Sequence, residues 1–299
     1  MILNDANVDL AFQGFKTIYT DAYTNAPAHY SKVAMTVASG NRQETYGWLG
    51  QFPQLREWLD GERVIKDLEA HSFTILNRKF ESTVDIRRED FEDDRLGLLK
   101  PMFAEMGHLA RQHPDELIFG LLKDGFTTPC FDGQNYFDTE HQTPDADGNM
   151  VPVSNMADGT DAPWFLLDTS RAIRPLIWQA RVDYTFDMVN RPNDERVFMT
   201  DKYLYGVRAR VNAGFGLWQM AYASKQPLNL ETYSSARAAM MELRGDKGRI
   251  LGITPTTLVV PPSLEHQARL VLNTETSDGG GSNPWKNTAE LIVTPYVTV

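Results

Sequence analysis

Two stretches of strict alternation constrain this chain more than any other feature. In residues 181–189, RVDYTFDMV, the side chains of Val182, Tyr184, Phe186 and Met188 fall on one face and those of Arg181, Asp183, Thr185 and Asp187 on the other. In residues 203–216, YLYGVRARVNAGFG, Tyr203, Tyr205, Val207, Ala209, Val211 and Ala213 share a face, with Arg208 and Arg210 opposite. A period of two is the mark of a strand with one dry side. The turn-rich NRPNDE between the two stretches predicts an antiparallel pair. A sheet with one apolar face must be covered, and the helical stretch that precedes it is the natural cover. There Leu96, Leu99, Phe103, Met106 and Ala110 recur at helical spacing. Pro101 is expected to kink or restart this helix. Pro114 is expected to begin a second one, with Asp115 and Glu116 in its positive first turn and Gly125 as its stop. The class that follows is α+β.

The remaining segments fall around that sheet. Residues 228–299 read as helix, strand, helix, loop and strand. Asn229 caps a helix whose stripe is Tyr233, Ala236, Met240 and Leu243, and Gly245 ends it. TTLVVPP is a short buried strand. Pro262 opens a helix with Leu264, Ala268 and Val271 inward, and AELIVTPYV is the last strand. Residues 129–163, rich in Pro, Gly, Asp and Asn, read as loop. Residues 62–90 read as a charged β-hairpin with Asn77, Arg78 and Lys79 at its tip. A two-stranded ribbon alone is only marginally stable in water, so it needs a surface to lie on. Residues 1–60 lack a sustained pattern. Short helical pieces are expected near 9–23 and at FPQLREWLDG, and such an arm has to pack on its own body or on a neighbour.

Composition narrows the function. A net charge of −11 argues against a chain whose main task is gripping phosphate backbones. The single cysteine, Cys130, leaves no internal disulfide framework and no cysteine-cluster zinc site. With no long apolar run and no basic, then apolar, N-terminal leader, the expectation is a soluble cytosolic product without a membrane partner. The stretch FDGQNYFDTEHQTPDADGNM tempts a metal reading through Asp138, Glu140 and His141, the basis of a metal-dependent hydrolase alternative. Its spacing fits no such site. An EF-hand counted from Asp145 would put Gly148 at position 4 and Met156 at position 12, and neighbouring loop side chains seldom converge on one ion. Asp, Asn and Gly here are better explained as turn formers. Gly214 and Gly216 are followed by Gln219 where a dinucleotide fingerprint needs glycine. His108 and His113 are five apart, outside helical register, and Asp93 and Asp94 suit a helix start. No cofactor and no catalytic residue is expected. An arm needing a host and a ribbon needing a surface are the marks of a subunit in a symmetric assembly.

The runs FTILNRKFESTVDIRREDFEDDRLG, CFDGQNYFDTEH, LVVPPSLEHQARLVLN and NPWKNTAELIVTPY, in that order, span most of the chain. In them the sequence resembles the major head subunits of Mu-like transposable phages, a branch of the tailed-phage capsid proteins. The resemblance implies a Hong-Kong-ninety-seven-type capsid fold and no enzymatic activity. Its parts would be an N-terminal arm at 1–60, an E-loop hairpin at 61–90 and a peripheral domain at 91–227. That domain would hold a spine helix near 91–112, the loop 129–163 and sheet strands at 164–223. An axial domain would follow at 228–299, a rearranged element order. The implied role is a subunit that self-assembles into the pentamers and hexamers of an icosahedral head around double-stranded DNA, with scaffolding, portal and decoration proteins as partners. Such a head is assembled in the bacterial cytoplasm and ends as the virion capsid. A nanocompartment shell of the same fold is the alternative. Arg78 and Lys79 at the hairpin tip, and Arg87 and Arg88 near its base, are the candidate inter-subunit contacts.

Overall fold

The two alternating stretches become the longest strands of the molecule, β9 (Leu176–Val189) and β10 (Lys202–Phe215). They pair antiparallel from Leu204↔Val189 to Phe215↔Leu176. The computed structural model describes residues 5–47, 49, 73–93, 95–145, 147, 149–189, 191, 194–245, 248–276 and 280–298. The expected helix at FPQLREWLDG and residues 62–72 of the expected hairpin lie outside the described residues. Two further strands complete a four-stranded sheet in the order β1-β9-β10-β4. Strand β1 (Ala34–Ala38) runs parallel to β9, and β4 (Arg78–Arg87) runs antiparallel to β10 from Lys202↔Arg87 to Val211↔Arg78.

The apolar face of this sheet is covered by two helices, as the alternation requires. Helix α1 (Asp5–Asn25) and helix α4 (Lys100–Asp124) bury Phe12, Phe15, Tyr19, Phe103 and Met106 against Phe186, Tyr203, Tyr205 and Val207. Phe15 stacks on Phe103 at 4.2 Å, Tyr19 on Phe186 at 5.0 Å, and Phe103 meets Tyr205 edge-on at 5.6 Å. The N-terminal segment therefore finds its host on its own subunit. Gly107 sets how close α1 comes: a Cβ there would stand 2.4 Å from the Tyr19 carbonyl oxygen and 3.1 Å from the Ala22 Cβ.

Helix α4 corrects the expected break at Pro114. Pro101 does open the helix, after the short α3 (Arg88–Glu92) and a 3-10 turn Arg95–Leu99, but Pro114 sits inside one continuous run of 25 residues. An interior proline costs about 3 kcal/mol. Beyond it Ile118, Phe119 and Leu122 are fully buried, each contributing about 1.5–3 kcal/mol, so continuing the helix wins. Asp115 is thus not in a first turn. Its buried carboxylate accepts the backbone N–H of His29 at 2.9 Å and of Tyr30 at 2.6 Å, holding the entry to the single-turn helix α2 (Tyr30–Val33).

The expected hairpin with a tip at 77–79 is also corrected. Strand β3 (Phe73–Leu76) pairs not with β4 but with β2 (Gln43–Tyr46), from Gln43↔Leu76 to Tyr46↔Phe73. Asn77 is no exposed tip: it is buried at the junction of two sheets. The alternation of 80–87 is real, but its partner is β10, more than a hundred residues onward, which local spacing cannot reveal.

A second sheet has the order β15-β14-β8-β11-β7. Its strands are β7 (Met156–Ala157), β8 (Trp164–Leu167), β11 (Ala221–Ser224), β14 (Thr257–Val260) and β15 (Glu290–Val293). Residues 164–167 and 221–224 therefore leave the sheet expected over 164–223, and the unit at 228–299 is completed by strands that precede it. The apolar run WFLL cannot show by alternation which sheet it joins, because both its faces are buried. Phe165 and Leu167 face the core shared with Ile118, Phe119 and Leu122 of α4; Trp164 and Leu166 face helices α6 (Leu230–Met241) and α7 (Glu265–Asn273). Asn229 caps α6 as its sequence implies, in a reciprocal box with Thr232, although the helix stops at Met241 rather than Gly245. The expected loop 129–163 contains a hairpin of β5 (His141–Pro144) and β6 (Met150–Val153). The turn between β9 and β10 carries the small helix α5 (Glu195–Thr200), and β12 (Arg244–Gly245) pairs with β13 (Arg249–Ile250). The closing 3-10 turn Pro295–Val297 returns to α4.

Gly107→Ala should lower stability by about 1–3 kcal/mol, with α1 released first, as seen by limited proteolysis and thermal melting. Gly14→Ala, on the exposed side of α1 with nothing within 4 Å of its Cβ, should instead be neutral or stabilising.

Candidate assembly surfaces and a buried Cys-Asp-His cluster

The β2–β3 stem is locked to the large sheet by one buried amide. The Gln179 side chain, fully enclosed on β9, accepts from the Tyr46 hydroxyl at 2.8 Å and donates to the Ile75 carbonyl at 3.1 Å and to Asn77 Oδ1 at 2.8 Å. Asn77 in turn donates to Ser39 Oγ at 2.8 Å and to the Asn41 carbonyl at 2.9 Å. Glu44 closes the start of β2 by accepting from Ser39 Oγ and the Gly40 and Asn41 amides, and these hydrogen bonds, led by Ser39, hold its carboxyl below the usual range. The stem crosses β10 where that strand has no side chain: a Cβ on Gly214 would stand 2.2 Å from Ile75 Cδ1. Leu49, buried beside Tyr46 and Ile75, fixes the chain as it leaves the stem.

The four candidate contact residues separate into two pairs. Arg78 and Lys79 stand exposed at one end of β4 and Arg87 at the other, about 30 Å away by strand rise. Arg78 lies over the Phe80 ring at 5.1 Å. Arg88 is engaged within its own subunit, with Glu92 at 3.5 Å and Asp201 at 3.9 Å, while its backbone N–H donates to the Asp201 carbonyl. Strand β4 is the rim of its sheet, and the charges of Arg78, Lys79, Glu81, Asp85 and Arg87 along it discourage indiscriminate strand pairing.

The tempting loop resolves differently from a ligand set. Asp138 accepts the backbone N–H of Glu140 at 3.1 Å, an Asx turn, and Glu140 points to solvent. His141 turns inward, fully buried, stacked on Trp218 at 4.0 Å, with Nδ1 2.7 Å from Asp132 Oδ2. The Cys130 thiol donates to Asp132 Oδ1 at 3.1 Å. Among the described residues the one grouping with metal-ligand proximity is thus Cys130, Asp132 and His141, not Asp138, Glu140 and His141. Its chemistry is structural. Burial, and then the Asp132 charge, push the thiol's pKa up, the opposite of what activates a nucleophilic cysteine. Burial alone would raise the Asp132 carboxyl, but the hydrogen bonds from His141 and Cys130 outweigh it and hold the group below its usual value. Sequence reading missed Asp132 and Cys130 as partners of His141. The only signal was three polar residues within twelve positions. The neighbouring turn does follow its composition: Asp145 accepts from the Asp147 and Asn149 amides at 2.9 and 2.8 Å.

A mixed pair of sheets joined through one long helix, with an interlocked stem at the rim and no assembled catalytic set among the described residues, is the architecture of a phage capsid subunit. The fold superposes on the procapsid protein of bacteriophage JBD30 with a TM-score of 0.87 at 43% identity, covering 98% of this chain and 100% of that one. On a capsid of the same phage the TM-score is 0.78 at 32% identity, covering 94% of each chain. The profile of the family described as Mu-like prophage major head subunit gpT matches residues 8–297. The sequence is 44% identical to the major capsid protein of Escherichia phage Mu over 306 residues, 99% of this chain and 100% of that protein. It is 42% identical to the Mu-like prophage FluMu major head subunit of Haemophilus influenzae (strain ATCC 51907 / DSM 11121 / KW20 / Rd), covering 90% and 89%. The chain belongs to the Mu-like major head subunit family: it is a structural capsid protein, not an enzyme, and a component of the virion. No helix among the described residues is long and apolar enough to cross a membrane.

His141→Ala should cost about 3 kcal/mol or more, since it opens a cavity beside Trp218 and strands the Asp132 carboxylate. Incubation with EDTA should leave the melting temperature unchanged. His113 supplies a pH test. Burial holds its pKa below the ordinary histidine value, and Nδ1 shares a 2.5 Å hydrogen bond with the Tyr184 hydroxyl. The unfolded chain therefore binds the proton more readily. This contribution to stability is complete above about pH 6.5 and falls as acidity rises through that value. Melting temperatures measured from pH 7.5 to 5 should decline, and less steeply in His113→Gln.

Proposed function

We propose that copies of this chain close into the pentamers and hexamers of an icosahedral head around double-stranded DNA, with the segment carried by the β2–β3 stem laid over the neighbouring subunit. The observation that carries this reading is the stem itself. Two short strands, crossing β10 at Gly214 and bolted to Gln179, hold Tyr46 and Phe73 side by side, so the chain between them leaves and returns at one place. In the parts of the capsid fold, we read the E-loop in the stretch of chain between the two stem strands, α4 as the spine helix and the four-stranded sheet as the peripheral sheet. The five-stranded sheet with α6 and α7 is the axial domain. Full-length likeness to the phage Mu major capsid protein supports a phage head over a nanocompartment shell.

A net charge of −11 suits a wall that must enclose DNA without gripping it. Scaffolding and portal proteins are the partners such a shell requires in the bacterial cytoplasm. A decoration protein is a further partner: one JBD30 capsid is described as decorated with minor capsid protein trimers. Arg78 and Lys79 remain contact candidates at the rim strand. Each exposed pair contributes about 1 kcal/mol or less, so shell closure has to multiply many such contacts.

Expressed with its scaffold, the chain should yield closed particles by negative-stain imaging; a monodisperse monomer at every concentration would sink the shell reading. Reversing both charges in Arg78→Glu with Lys79→Glu should reduce particle yield several-fold at an unchanged melting temperature. Wild-type shells from that variant would make the two side chains solvated bystanders.

A further inference from the structure

Strand β10 carries two arginines that the fold leaves without a counter-charge. Arg208 and Arg210 flank Ala209, which is buried in the core, so both side chains stand on the face of the four-stranded sheet opposite the helices. On the rim strand Lys79 is the direct cross-strand neighbour of Arg210, and Glu81 of Arg208. Like charges directly opposite one another destabilise a sheet. Nothing in the subunit relieves them. Among the described residues none of Lys79, Arg208 and Arg210 has an ion-pair partner, and Arg210 Nε is buried without an acceptor. Glu81 is engaged on its own strand, where it accepts the Thr83 hydroxyl at 2.7 Å. The other carboxylates nearby lie off this ledge. Asp187 stands opposite Gly206, one rung further along the ribbon, and Asp85 is bonded to Lys202. Burial, and then the Asp183 charge, raise the Tyr23 hydroxyl on α1, which places Asp183 toward the helices. Glu44 is held by the donors of its own turn. At the margins Arg181, in the irregular stretch of β9 beside Arg210, and Arg42, whose carbonyl accepts from Asn77, add further positive charge.

We infer that this ledge docks an extended acidic segment of a partner protein, with carboxylates at every second residue. The spacing selects that occupant. Arg208 and Arg210 are two residues apart on a strand that pairs with β4 without a break in register, about 6.8 Å by strand rise. Asp or Glu at positions i and i+2 of an extended segment are the same distance apart. Each guanidinium can then take one carboxylate, the planar pairing that arginine makes best, and Lys79 supplies a third contact from the rim. Docking also relieves the repulsion between Lys79 and Arg210, because the partner's charge falls where the subunit lacks one. A DNA duplex fits less well. It carries a phosphate charge about every 1.7 Å of its length, so its contact would run past the ledge over Glu81, Asp187 and Asp85. A short acidic segment ends where the cations end. The inference goes beyond the shell reading and does not depend on it, since the ledge is complete within one subunit.

The test is binding of a labelled short peptide of alternating threonine and aspartate to the soluble full-length chain, read by fluorescence anisotropy. Wild type should bind it saturably, and more weakly as salt rises. Arg208→Gln combined with Arg210→Gln should weaken binding about tenfold or more. That variant should melt at or slightly above the wild-type temperature, because it removes the repulsion across the strands, so lost binding is not lost folding. A peptide of the same composition with its aspartates adjacent should bind wild type several-fold less tightly. Absence of saturable binding, an affinity unchanged in the double variant, or equal affinity for the two peptides would each overturn the inference. Tighter binding of a DNA duplex of equal charge would overturn it in favour of nucleic acid. Self-association of wild type that the double variant abolishes, with no peptide bound, would overturn it in favour of a second copy of the chain.

Discussion

The antiparallel pairing of β9 with β10 is the member from which everything else hangs. It gives the four-stranded sheet its two central strands and offers α1 and α4 an aromatic bed. Its Leu176–Phe215 end carries the chain into the second sheet, where Gly216 lies so near the Arg174 and Pro175 carbonyls that a Cβ would stand 2.6 and 2.8 Å from them. Gln179, Gly214 and α5 all belong to this ribbon or to its connection. One structural unit therefore supplies the anchor of the stem, the clearance the stem needs and the projecting tip. A subunit that must hold its shape while being pulled by neighbours gains from placing those features on paired strands rather than on separate loops.

What could be read in the sequence follows from how far each signal reaches along the chain. The alternation of 181–189 and 203–216 survives intact because a strand with one wet face advertises its own period. The Asn229 cap and the stripe of Tyr233, Ala236 and Met240 are equally local and equally legible. The failures are failures of partner choice. The alternating run at 80–87 is a strand, yet nothing within thirty residues says that it pairs with β10 and not with 73–76. WFLL hides its sheet because both faces are buried. Pro114 looked like a boundary by local rules, and the burial of Phe119 and its neighbours overrode them. The pairing of His141 with Asp132 depended on a side chain turning inward, which residue spacing does not encode.

Charge and apolar exposure divide the surface by task. A carboxylate excess suits a wall that must not cling to what it encloses, and the same excess disfavours contact between copies unless it is locally cancelled. The rim strand mixes signs along its length, and α5 leaves Phe198 and Met199 exposed. The buried Cys130–Asp132–His141 cluster belongs to a third category: Asp132 bonds both the Cys130 thiol and His141 Nδ1 beneath a hairpin, with the His141 ring stacked on Trp218.

The junction at Asn77 has a mechanical meaning. Strands β3 and β4 are separated by this single residue, whose backbone N–H donates to the Arg42 carbonyl and whose side chain is gripped from three directions. No slack linker lies between the hairpin stem and the edge of the four-stranded sheet. A load applied to the stem is thus delivered straight into the edge of the four-stranded sheet, where the whole plate bears it instead of a hinge absorbing it.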